Sequence, residues 1–108
     1  MSENPARILI IDDEQLVLEV LAGFLEDSGF SIIQASNGAL GLELIKQERP
    51  DLVMCDLRMP GIDGLNVLEQ VTRDYPELPV LVVSGLGGMN DAIQALKLGA
   101  WDYVTKPI

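Results

Sequence analysis

Ile8-Leu9-Ile10-Ile11-Asp12-Asp13 is a run of four aliphatic residues closed by two carboxylates, and its reading decides the fold. Three of the four aliphatic residues are β-branched. Such a run predicts a strand buried on both faces, as in a parallel sheet covered by helices. Open parallel α/β sheets bind their ligands outside the carboxyl ends of the strands. Asp12 and Asp13 therefore stand at the functional edge. Neighbouring like charges raise each other's cost of ionisation, so an adjacent pair kept at a buried edge calls for a cation.

Outward from this stretch, short aliphatic runs alternate with helical patterns. Strands are predicted over 7–11, 31–35, 52–55, 80–83 and 101–104. Helices are predicted over 14–28, 38–48, 65–74 and 91–98. Leu16, Val17, Val20, Leu21, Phe24 and Leu25 fall at helical spacing in the first helix, and Gly29 supplies its stop. Leu40, Leu42, Leu44 and Ile45 mark the second helix. Leu65, Val67, Leu68 and Val71 mark the third. Asn90 is expected to cap the fourth, and Gly99 to end it. Strict β-α alternation predicts one parallel sheet with helices on both faces.

Composition bounds the rest. The chain has 108 residues, 48% of them hydrophobic, enough for one domain with one compact core. Its single cysteine, Cys55, excludes an internal disulfide. The longest apolar runs fall well short of the ~20 residues of a membrane span, and no signal peptide is evident. A soluble, cytoplasmic protein with no membrane contact is expected. The net charge is −10, from 17 acidic and 7 scattered basic residues. Phosphate contacts need clustered Lys and Arg, so no direct nucleic-acid contact is expected of this segment.

All strands of such a sheet place their carboxyl ends on one rim. Asp12 and Asp13 end the first strand and Asp56 the third. Ser84 ends the fourth, and Lys106 follows the fifth. Each has an ordinary explanation alone, as a turn former, a helix cap or a solvated lysine. Their convergence on one rim is what carries chemistry. Hard oxygen donors, in a chain with no histidine, point to Mg²⁺ rather than a transition metal. A carboxylate beside such a cation is a candidate nucleophile toward a phosphoryl group. The cation and a lysine would neutralise charge on the transferring oxygens.

Four stretches carry a family resemblance: Asp12-Asp13-Glu14, then Asp56-Leu57-Arg58-Met59-Pro60-Gly61-Ile62-Asp63-Gly64, then Ser84-Gly85, and Gly99-Ala100-Trp101-Asp102-Tyr103-Val104-Thr105-Lys106-Pro107. In this order they resemble the receiver domain of two-component response regulators, from about residue 7 to the end. The resemblance implies a CheY-like, flavodoxin-like doubly wound sheet of five parallel strands in the order 2-1-3-4-5, with five helices. It implies that Asp56 is the phosphoacceptor. Asp12, Asp13, Asp56 and the backbone carbonyl of Arg58 would hold Mg²⁺. Ser84 would be the switch hydroxyl, Tyr103 the switch aromatic, and Lys106 the partner of the phosphoryl oxygens. Arg58 and Leu86 would tune the lifetime of the acyl phosphate. The phosphodonor would be a sensor histidine kinase or a small molecule. Output would pass through the face of the fourth helix and fifth strand to an output domain or protein partner.

The pattern also departs from the family. Ser84 stands where Thr is frequent, and Gly85 where Ala is frequent. The fifth helix is absent from the chain, so residues 1–108 are expected to be the receiver domain of a longer regulator. Residues 89–96 are further similar to receivers of regulators with a phosphatase-like output domain, including an adaptor for proteolysis of the stationary-phase sigma factor. The expected role is a switch that gains and slowly loses a phosphoryl group, not an enzyme acting on other substrates. Two alternatives are a phosphorylation-independent pseudo-receiver that only binds partners, and an aspartyl-phosphate phosphatase. The phosphatase would need a second acid two residues after Asp56, where this chain has Arg58.

Overall fold

The computed structural model of the chain describes residues 5–57, 64–85 and 89–105, apart from the side chains of Ser84 and Met89. The elements run β1 (Arg7–Ile11), α1 (Gln15–Asp27), β2 (Ser31–Ala35), α2 (Gly38–Glu48), β3 (Leu52–Asp56), α3 (Gly64–Asp74), β4 (Val80–Ser84), α4 (Met89–Lys97) and β5 (Asp102–Thr105). The five strands form one sheet in the order β2-β1-β3-β4-β5. Every pairing is parallel, with Ile11 opposite Ala35 and Cys55, Asp56 opposite Val83, and Ser84 opposite Thr105. The expected flavodoxin-like order is thus the observed one.

This order follows from the handedness of the crossovers. The chain moves from β1 outward to β2, then returns past β1 to β3 and on to β5. Right-handed connections in the two directions put their helices on opposite faces. The side chains divide accordingly. Leu9, Ile11, Val53, Cys55, Val80 and Val82 pack with Ile45 of α2, Val67, Leu68 and Val71 of α3, and Ala95 of α4. Ile8, Ile10, Met54 and Val83 pack with Leu18 and Leu21 of α1. Neighbouring residues of one strand serve opposite faces, which is why the strand sequences are continuously apolar rather than alternating. Direction reverses between β1 and β3, and there the sheet opens a crevice at its carboxyl edge.

The helix boundaries have local causes. The Asn37 side chain accepts a hydrogen bond from the Leu40 amide at 2.8 Å and caps α2. Gly29 takes φ +99° after α1, and Gly99 takes φ +115° after α4. Arg49 closes α2 in the left-handed conformation at φ 49°, where glycine is the common occupant.

Three expectations shift. α1 seats Leu18, Leu21 and Ala22 against the sheet. It leaves Leu16, Val20 and Phe24 exposed at 72%, 57% and 68%. The helix is apolar around most of its girth, so periodicity alone does not select the buried face; contact with the sheet does. α4 begins at Met89, which puts Asn90 inside the first turn rather than at the cap. β3, β4 and β5 each extend one residue further than predicted, to Asp56, Ser84 and Thr105, and β5 also starts one residue later, at Asp102. The Leu57 amide donates to the Val83 carbonyl at 3.1 Å and carries the ladder past Asp56. Among the described residues, no helix is long and apolar enough to cross a membrane.

Candidate functional site

Asp12 and Asp56 are the two buried charged side chains among the described residues, exposed by only 2% and 4%. Asp12 follows the last residue of β1, and Asp56 is the last residue of β3. They therefore meet at the crevice where the strand order reverses. Carboxylate oxygens of Asp12, Asp13, Glu14 and Asp56 all lie within 4.8 Å of one another. Asp13 and Glu14 form the exposed side of this group.

The backbone fixes the cluster from both strands. The Asp12 amide donates to the Ala35 carbonyl at 3.0 Å and extends the β1–β2 ladder by one bond. One carboxylate oxygen of Asp12 accepts the Glu14 amide at 2.9 Å, turning the chain into α1. Glu14 occupies the N-cap position of α1 with extended backbone, and its side chain makes no capping bond. The cluster thus sits at the start of a helix, where the partial positive charge of the free amides favours anions. On β3, the Cys55 thiol donates to the Asp56 carbonyl at 3.4 Å, and the Gly64 amide donates to the Leu57 carbonyl at 3.1 Å.

The donor chemistry fits a hard divalent cation. Every candidate ligand is a carboxylate oxygen, two of them withdrawn from water, and the chain contains no histidine. Its one thiol, Cys55, is buried and points to a backbone carbonyl. Such a site suits Mg²⁺, which keeps several waters and needs few protein ligands.

Of the predicted site residues, Asp12, Asp13 and Asp56 come together. Ser84 ends β4, the strand beside β3. Tyr103 lies in β5 opposite Val82, half-buried against the core under α2, α3 and α4. Its amide donates to Asp102 at 2.8 Å. Arg58, Leu86, Lys106 and Pro107 lie outside the described residues. Glu14 joins the cluster without having been read as a ligand. Its place directly after the acidic pair was the available signal.

A parallel 2-1-3-4-5 sheet with an acidic crevice at the β1 and β3 ends is the arrangement expected of a receiver domain. Residues 8–108 match the family of the response regulator receiver domain, and the chain belongs to that family. It is 35% identical over 108 residues to the transcriptional regulatory protein GlrR of Escherichia coli (strain K12), covering 100% of this chain and 24% of that protein. It is 40% identical over 102 residues to the nitrogen assimilation regulatory protein NtrX of Azorhizobium caulinodans, covering 93% of this chain and 22% of that one. Among solved structures, NtrX from Brucella abortus superposes with a TM-score of 0.92 at 36% identity, covering 96% of this chain and 24% of that chain. A response regulator receiver domain protein from Clostridium thermocellum gives a TM-score of 0.91 at 33% identity, covering 95% and 83%. The chain spans about a quarter of the length of these curated relatives.

Proposed function

We propose that this receiver domain accepts a phosphoryl group on Asp56 in a Mg²⁺-dependent reaction and relays the change to an output domain or protein partner. The single observation that carries this reading is the convergence of Asp12, Asp13, Glu14 and Asp56 within 4.8 Å at the carboxyl ends of β1 and β3. A carboxylate oxygen of Asp56 attacks phosphorus. The bond from phosphorus to the donor breaks, and its electron pair leaves with the donor, an imidazole of a sensor histidine kinase or the acetate of acetyl phosphate. The product is an acyl phosphate, which water returns to Asp56 and inorganic phosphate. Asp12, Asp13 and Asp56 would hold Mg²⁺, with the Arg58 carbonyl as the resemblance implies. When bound, this ion offsets the negative charge of the incoming phosphoryl oxygens.

Asp12 and Asp13 otherwise disfavour an anionic donor, so the ion makes transfer conditional. Lys106 pairs with a phosphoryl oxygen, and the Ser84 hydroxyl donates to another. Tyr103 follows the shift of Ser84, biasing a two-state face of α4 and β5 toward its output form. Arg58 and Leu86 set the access of the hydrolytic water. No other substrate is turned over. The name of GlrR, a transcriptional regulatory protein, supports an output in transcriptional regulation. The charge of −10 argues against direct DNA contact by this segment.

The test is incubation with acetyl phosphate and Mg²⁺, read by intact mass. A hydroxylamine-labile adduct of one phosphoryl group, absent in Asp56→Asn and absent with a chelator, is the expected result. No adduct on the folded wild-type chain would favour a pseudo-receiver instead.

A further inference from the structure

Gly64 opens α3 and is buried. A Cβ built there would lie 2.1 Å from the Asp56 carbonyl oxygen, 2.8 Å from the Asp56 carbonyl carbon and 2.5 Å from the Leu57 Cα. These are backbone atoms, which cannot rotate aside as a side chain can. The contrast with other glycines is clear. The three atoms nearest a Cβ built at Gly41 or Gly99 belong to the side chains of Ile11 and Thr72 respectively, and a Cβ built at Gly23, Gly29 or Gly85 would meet nothing within 4 Å. The close approach to backbone atoms is by itself enough to demand glycine here.

Both bodies that meet at Gly64 are held. β3 is flanked by β1 and β4 and hydrogen-bonded to each. The inner face of α3 is fixed by Val67, Leu68 and Val71, all fully buried. A side chain at 64 therefore has no retreat by moving the strand or the helix as a whole. The displacement enters the Asp56–Leu57 peptide, to which the Gly64 amide is already tied through the Leu57 carbonyl.

We infer that Gly64 is a positioning residue for the phosphoacceptor: α3 is seated on the Asp56–Leu57 peptide and sets where the Asp56 carboxylate stands relative to Asp12 and Asp13. This inference rests on the phosphoacceptor reading of Asp56. Displacements of about 1 Å at a nucleophile lower rates on the order of 100-fold, and the missing Cβ at 64 is what prevents such a displacement.

The experiment compares Gly64→Ala with Val71→Ala, which leaves a small cavity under the last turn of the same helix. Both are assayed with acetyl phosphate and saturating Mg²⁺ at a temperature where circular dichroism shows them folded. The maximal phosphorylation rate of Gly64→Ala should fall on the order of 100-fold, with the half-saturating donor concentration little changed. That of Val71→Ala should stay within about twofold of wild type, the outcome of lost packing without displacement at Asp56. Folded Gly64→Ala reacting at the wild-type rate, or equal losses in both variants, would overturn the inference. If Gly64→Ala does not fold, Val67→Ala against Val71→Ala decides. Loosening the first turn of α3 should slow phosphorylation at least several-fold more than loosening the last, and equal rates would overturn the inference. Failure of the wild-type chain to label removes the phosphoacceptor reading itself. Labelling of wild type and Gly64→Ala at equal rates removes only the role of Gly64.

Discussion

Gly41→Ala should destabilise the fold through one contact. The added Cβ would stand 2.4 Å from Cδ1 and 2.8 Å from Cγ1 of Ile11. Ile11 is fully buried and cannot swing into solvent. Overpacking of this kind costs about 1–3 kcal/mol. Alanine in a helix interior recovers about 1 kcal/mol over glycine. The net loss should be about 1 kcal/mol, or about 4–8 °C in Tm for a domain near this size. Ile11→Val removes Cδ1, the closest atom, and alone should cost about 0.5–1.5 kcal/mol. If the clash is the cause, the double variant should be more stable than the sum of the singles by about 1 kcal/mol. Urea unfolding of all four proteins by linear extrapolation measures this coupling. Additivity within about 0.5 kcal/mol, or a stabilising Gly41→Ala, would refute the argument that α2 is seated on β1 through Ile11. That seat matters because Ile11 carries Asp12.

Mg²⁺ should raise the Tm, since a ligand of the native state stabilises it by about 1.4 kcal/mol at ten times its Kd. Calorimetry of wild type and Asp56→Asn checks this, and an unchanged wild-type curve at millimolar Mg²⁺ would count against the site. Asn37→Ala removes the side-chain cap of α2 and should cost about 1 kcal/mol. Thermal unfolding measures it, and a loss below about 0.3 kcal/mol would show that the 2.8 Å bond is not a net contributor.

Much of this architecture is legible in the chain because parallel strands leave a continuous apolar trace. Ile8–Ile11, Leu52–Cys55 and Val80–Val83 announce themselves, and their carboxyl ends put Asp12, Asp13 and Asp56 on one rim; that β1 lies beside β3 is implied by the family resemblance and seen in the sheet. The inner face of α3 was equally readable, since Val67, Leu68 and Val71 recur against a polar background. α1 defeated the same logic. Leu16, Val20 and Phe24 share the helical spacing of the buried residues, and only the sheet distinguishes Leu18 and Leu21 from them. Glu14 hid for a different reason. An acidic residue ahead of a helix reads as solvated, and its place in the cluster depends on the turn that Asp12 makes by accepting the Glu14 amide. The contact of Gly64 with Asp56 spans eight positions of sequence across a loop, and no periodicity encodes it.

The central claim is that Asp56 is the acceptor, and trapping the acyl phosphate tests it most directly. Borohydride reduces an aspartyl phosphate to homoserine, which peptide mass spectrometry locates. After treatment with acetyl phosphate and Mg²⁺, homoserine should appear at position 56, with none at Asp12 or Asp13 and none when Mg²⁺ is chelated. Homoserine at Asp12 or Asp13, or equal yield without the cation, would contradict the account.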